Sequence, residues 1–199
     1  MSVRADHQAI AARVPEGARV LDVGCADGEL MALMKAERRA RVSGLEVSEA
    51  LVSRALARGL SVIQGDADTA LAAWPADAFD VAILSKTIQE MREPAHLLSQ
   101  LSRIAPEIIL SFRNYGYWRR RLSLLTTGRM PSPSGGSWHE AAALHPCTVR
   151  DMVALAQTAG LGVVAMAGVL PDREVLFRKN GLKRLNWHAP EAILHLRRA

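Results

Sequence analysis

Apolar residues in this chain come in short runs, most of them followed by a stretch spaced for a helix. Val20, Leu21 and Val23 open the series, and Val42 to Val47, Ser61 to Asp68, Phe79 to Ser85 and Glu107 to Phe112 continue it. Such runs predict strands, the first of them a buried one rich in β-branched residues. Between them, Glu29–Arg38, Ser48–Arg58 and Ala95–Ile104 read as helices, and Ala5–Val14 reads as a short helix ahead of the first strand. Ser48 is placed to cap its helix, whose Leu51, Val52, Ala55 and Leu56 share one face. Later, Thr148 and Asp151 open a helix that runs from Val149 to a stop at Gly160. Gly162–Val169 and about Ala192–Leu196 read as two last strands.

Strands alternating with helices predict an α/β fold, a central, mostly parallel seven-stranded sheet with helices on both faces. In such sheets ligands lie beyond the carboxyl ends of the strands. Gly24, Glu46, Asp66 and Ser85 all fall there.

The first of those ends is the most informative. Asp22-Val23-Gly24-Cys25-Ala26-Asp27-Gly28 places two glycines around a tight turn between strand and helix. The backbone there can approach a bulky ligand, and the helix amides aim at the same spot. The spacing is G-x-x-x-G, with Ala26 where a dinucleotide fingerprint needs its second glycine. Asp22 and Asp27 would repel a pyrophosphate but favour a cationic centre. S-adenosylmethionine, with a sulfonium, an ammonium and an adenosine, meets both demands. The pattern resembles the first motif of the class I methyltransferases, which have a Rossmann-like fold.

Further motifs follow in that family's order. Glu46 ends the second strand about 20 residues past the turn, where an acid can accept both ribose hydroxyls. Val47 follows it at the pocket. Gly65-Asp66-Ala67 ends the third run; the resemblance implies that Asp66 takes the adenine amino group and that the Ala67 amide meets a ring nitrogen. Ser85 closes the fourth strand. The cofactor-binding set is therefore Asp22, Gly24, Cys25, Ala26, Gly28, Glu46, Val47, Asp66, Ala67 and Ser85.

Composition narrows the class. With 199 residues, 49% of them apolar, one sizeable core in a single domain is expected. No apolar run is long enough for a membrane span, and no basic-then-apolar leader is visible. The two cysteines, Cys25 and Cys147, form no disulfide framework, so a cytoplasmic setting is expected. The formal net charge of +5 is carried almost wholly by arginine.

The rhythm breaks at about 113–147, which reads as an aromatic and basic insertion. Arg113-Asn114-Tyr115-Gly116-Tyr117-Trp118-Arg119-Arg120-Arg121-Leu122 is followed by Gly128-Arg129-Met130-Pro131, and later by His145-Pro146-Cys147-Thr148. Together with D-V-G-C-x-D-G-E-L, these short motifs resemble the MetW family of methionine-biosynthesis proteins from about Val14 to Leu155. The resemblance implies a methyltransferase-fold protein that accompanies a homoserine O-acyltransferase and assists or regulates it, with S-adenosylmethionine or S-adenosylhomocysteine in the pocket. Tyr115 to Met130 would supply much of that interface.

Other readings of single residues stand beside these. A small-molecule methyltransferase is the alternative function, with Glu90, His139 and His145 as candidate bases and no obvious one among them. Lys86 could hold a substrate carboxylate or pair with Glu90. His139, His145 and Cys147 are too few for zinc unless Cys25 joins them. Arg119-Arg120-Arg121 falls on different faces of a helix, which suits a solvated surface better than nucleic acid. Cys25 precedes a helix, yet its carboxylate neighbours oppose a thiolate.

Overall fold

A computed structural model of the protein describes residues 4–131, 145–170, 173–177 and 181–199. In chain order the main elements are α1 (Ala5–Ala11), β1 (Arg19–Val23), α2 (Glu29–Arg38), β2 (Arg41–Glu46), α3 (Glu49–Ala57) and β3 (Ser61–Gln64). Next come α4 (Ala67–Ala70), β4 (Val81–Ser85), α5 (Pro94–Ile104), β5 (Glu107–Arg113), α6 (Trp118–Thr127) and α7 (Val149–Thr158). The chain closes with β6 (Leu161–Leu170), β7 (Arg173–Phe177), α8 (Leu182–His188) and β8 (Glu191–Arg198).

The strands form one sheet in the order β3-β2-β1-β4-β5-β8-β6-β7. Pairs among β1 to β5 are parallel, whereas β8 runs antiparallel to both β5 and β6, and β7 antiparallel to β6. The sheet therefore has eight strands rather than the seven expected. The extra one, β7, is a five-residue edge strand that follows β6 with no helix between, outside the strand-helix alternation, and its apolar run is only the three residues Val175 to Phe177.

Central strands are apolar on both sides because both faces are covered. Along β4, Ala82 and Leu84 join the core beneath α5 and α7, while Val81 and Ile83 join the core beneath α1 and α2. The same alternation puts Leu21 and Val23 on the first side and Val20 on the second, so Asp22 faces α1 and α2.

Element ends moved for local reasons. α1 stops at Ala11, and the next residues form a turn in which Arg13 and Val14 donate to the Ile10 and Ala11 carbonyls. β2 stops at Glu46, whose carboxylate accepts the Ser48 amide at 2.9 Å and bends the chain away from the sheet. That amide, not the Ser48 side chain, makes the contact, so Ser48 occupies the cap position without capping. Thr148 does cap α7, in a reciprocal box with Asp151.

Candidate functional site

The turn after β1 adopts the conformation its glycines predict. Gly24 has φ 72°, and Ala26 follows it into the left-handed region at φ 48°. A Cβ on Gly24 would lie 2.5 Å from Oγ1 of Thr87, so both space and backbone require glycine here. Gly28 caps α2 at φ 79°. Gly24 also donates to the Leu45 carbonyl at 2.8 Å, which draws the turn onto the end of β2.

Glu46 is 7% exposed and has both oxygens engaged, accepting Ala26 N–H at one and Ser48 N–H at the other. Asp66 caps α4, accepting the Asp68 amide at 3.0 Å. Beside these tips lies a cavity of about 460 Å³, within the range of small-molecule sites. Gly24, Ala26, Glu46, Val47, Asp66, Ala67 and Ser85 of the expected set line it. Val47 is 66% exposed, an apolar side chain left bare at the rim.

Asp22 and Cys25 lie to one side. They line a smaller cavity of about 80 Å³ that shares Gly24, Ala26 and Ser85 with the larger one. Gly28 lines neither and acts by shaping the turn. Asp22 is 1% exposed, and its Oδ1 has no hydrogen-bond partner among the described residues. Burial, reinforced by the Glu46 charge, pushes its carboxyl up to about 7. The Ser85 hydroxyl and Asp68 Oδ1 are buried and unpartnered too. Three orphaned oxygens around linked cavities are what a polar ligand would satisfy. Burial first, then Asp22 and Glu46, raises the Cys25 thiol to about 12, so it stays protonated.

Several lining residues were not evident in the sequence. Thr87 fills the space above Gly24, Leu51 of α3 closes one wall, and Arg4 and His7 reach the small cavity from the N-terminal helix. Arg4 and His7 precede every motif, and only the packing of α1 against α2 brings them near Asp22.

Lys86 pairs with Asp6 and Glu191 rather than with Glu90. Its backbone is left-handed at φ 64°, and Nζ lies 2.9 Å from Glu191 of β8 and 3.3 Å from Asp6 of α1. His145 places Nε2 3.3 Å from the Arg92 carbonyl, and Cys147 lies 3.5 Å from the Gln89 side-chain amide. Burial raises the Cys147 thiol to about 11. Among the described residues no cluster of three metal-ligating side chains occurs, and His139 lies outside them.

A family model, that of methionine biosynthesis protein MetW, matches residues 4–194, nearly the whole chain. The chain belongs to the MetW family. A curated relative, the bifunctional methionine biosynthesis protein MetXA/MetW of Rhodopirellula baltica, is 30% identical over 163 residues. That match takes in 76% of this chain but only 26% of the relative, so the chain spans about a quarter of that protein's length. Solved structures extend the likeness at the level of fold. A SAM-dependent methyltransferase from Thermotoga maritima superposes with a TM-score of 0.73 at 17% identity, covering 98% of this chain and 88% of that one. Another from Mesorhizobium loti gives 0.69 at 19% identity, with 98% of both chains covered. The MetW chain thus has the Rossmann-like methyltransferase fold, and among its described residues no helix is long and apolar enough to cross a membrane.

Proposed function

We propose that this MetW protein binds S-adenosylmethionine or S-adenosylhomocysteine in the cavity at the tips of β1 to β4, and that it assists or regulates a homoserine O-acyltransferase. The observation that carries the ligand reading is the buried Glu46 carboxylate facing a cavity flanked by orphaned Asp22, Ser85 and Asp68 oxygens. Glu46 retains lone pairs for ribose hydroxyls beside the amides it holds. In this reading Asp66 and the Ala67 amide would take the adenine edge, and Val47, which also lines the cavity, would pack against the ligand. Asp22, in the small adjoining cavity, would face the cationic end of the ligand in this reading. The partner reading draws support from the relative whose name joins MetXA to MetW in one polypeptide.

A methyltransferase acting on a small molecule is the second reading, favoured by the fold of the solved neighbours. Methyl transfer needs mainly alignment of donor and acceptor. Against it, Lys86, which follows β4 at the cavity wall, is already held by Asp6 and Glu191. Calorimetry with S-adenosylhomocysteine, followed by turnover of the acyltransferase with and without this protein, tests the proposal. Saturable binding and raised turnover are expected. No binding at about millimolar ligand removes the cofactor, and unchanged turnover with the complex absent removes the partner.

A further inference from the structure

Helix α6 has no buried residue. Trp118, Leu122 and Leu125 recur along it at the i, i+4, i+7 spacing of one helical face, and Leu122 and Leu125 are 49% and 83% exposed. Met130, just past the helix, and Trp187 of α8 are also about half exposed. A stripe of this kind rarely stays bare on a monomer.

The inner side of α6 is fixed by arginine rather than by packing. Arg120 donates to the Asn114 and Pro190 carbonyls at 2.9 and 3.1 Å, and Arg121 to the Gly116 carbonyl at 2.6 Å. Their guanidinium groups also lie over Tyr115 and Trp187, at 5.1 and 5.5 Å from the ring centres. Arg119 sits over Trp118 at 5.3 Å and is exposed. The leucine stripe is thereby presented outward on a rigid support.

Charge says what should cover it. From Ile108 to His139 the sequence has five arginines and no acidic residue. That segment carries the entire formal charge of +5, since the other residues balance at twenty basic against twenty acidic. Among the described residues, ion pairs join Arg4, Arg13, Arg19, Arg39, Arg58, Arg197 and Arg198 to carboxylates, but none forms at Arg119, Arg120, Arg121 or Arg129.

We propose that α6 is the docking helix of this protein, its Trp118-Leu122-Leu125 face seating in an apolar groove of a protein partner rimmed by carboxylates that pair with Arg119 and Arg129. The partner is the homoserine O-acyltransferase, so this inference rests on the reading of the preceding section and gives it a surface. Aromatic and arginine side chains around an apolar centre are the composition of binding hot spots. An amphipathic helix of this kind could also lie on an anionic membrane. The fused MetXA/MetW relative favours a protein.

The test measures affinity of the full chain for the acyltransferase at low and physiological salt, alongside binding of S-adenosylhomocysteine. Leu122→Asp with Leu125→Asp should weaken the complex at least about a hundredfold. Arg119→Glu with Arg129→Glu should weaken it about tenfold and flatten its salt dependence. S-adenosylhomocysteine affinity should stay unchanged in both variants, which also shows them folded. If the wild-type complex forms and both variants match it, the α6 surface is overturned while the partnership stands. If no wild-type complex forms at about 10 µM, the partnership falls and the surface with it. Variants that keep the acyltransferase but lose anionic vesicles, RNA or self-association overturn the proposal in favour of that occupant.

Discussion

Glu46 reaches from the end of β2 to accept the Ala26 amide at 2.9 Å, tying the left-handed turn after β1 to the neighbouring strand. Its other oxygen holds the Ser48 amide ahead of α3 at the same distance. One buried carboxylate thus sets two loops that border the cavity. Each hydrogen bond to a charged group is worth ~1.5–3 kcal/mol.

Replacement of Glu46 should therefore show twice. Glu46→Ala is expected to weaken S-adenosylmethionine or S-adenosylhomocysteine by about ten- to a hundredfold and to lower the melting temperature. Glu46→Gln should fall between, because its amide nitrogen must face one of the two backbone N–H groups. Calorimetry and thermal melts check both effects. Equal ligand affinity in Glu46→Ala takes this acid out of the site, whatever happens to stability.

Asp22 makes the fold and its ligand sensitive to pH. Its carboxyl, raised from 3.8 to about 7 by burial and then by Glu46, stays protonated in the folded protein at pH values where the unfolded chain has already ionised. Unfolding therefore releases a proton between about pH 4 and 7. The Asp22 contribution to stability falls across that window, by up to about 1.4 kcal/mol per pH unit, and levels off above it. A cationic ligand prefers the ionised acid, so its affinity should rise from about pH 6 to 8. Asp22→Asn should flatten both slopes, the first read by chemical denaturation and the second by calorimetry. Wild-type slopes retained in that variant would show that another group titrates.

The strand tips were legible because their signals are local. A glycine turn, an acid about 20 residues on and a Gly-Asp pair are each defined within a few residues, and parallel strands must bring their carboxyl ends together. Gly24, Glu46 and Asp66 therefore line one cavity, as their spacing implied. Arg4, His7 and Thr87 were not legible, since their place depends on how distant elements pack. Lys86 shows the same limit. Its neighbour in sequence, Glu90, looked a natural partner, but the left-handed turn at Lys86 sends the side chain toward α1 and β8. β7 is not legible because it follows β6 without a helix between and its apolar run, Val175 to Phe177, is only three residues long.

That turn gives Lys86 a structural role that can be separated from ligand binding. Asp6, 3% exposed, is held by Arg4 and by the Lys86 ammonium at 3.3 Å, so α1 is anchored to the strand end after β4. Burial alone would raise the Asp6 carboxyl, but the Arg4 hydrogen bond and the Lys86 charge outweigh it and hold it below the usual 3.8. A depressed acid stabilises the fold above its unfolded value, and that contribution is lost as pH falls through the folded one. Lys86→Met leaves Asp6 with one cation and Glu191 with none from this residue. The expected cost is about 1–3 kcal/mol, with faster amide exchange confined to α1 and a smaller loss of stability on acidification than in wild type. If Lys86 instead bound a ligand carboxylate, the variant would lose ligand affinity while α1 kept its protection. Hydrogen exchange and calorimetry on the same sample distinguish the two outcomes.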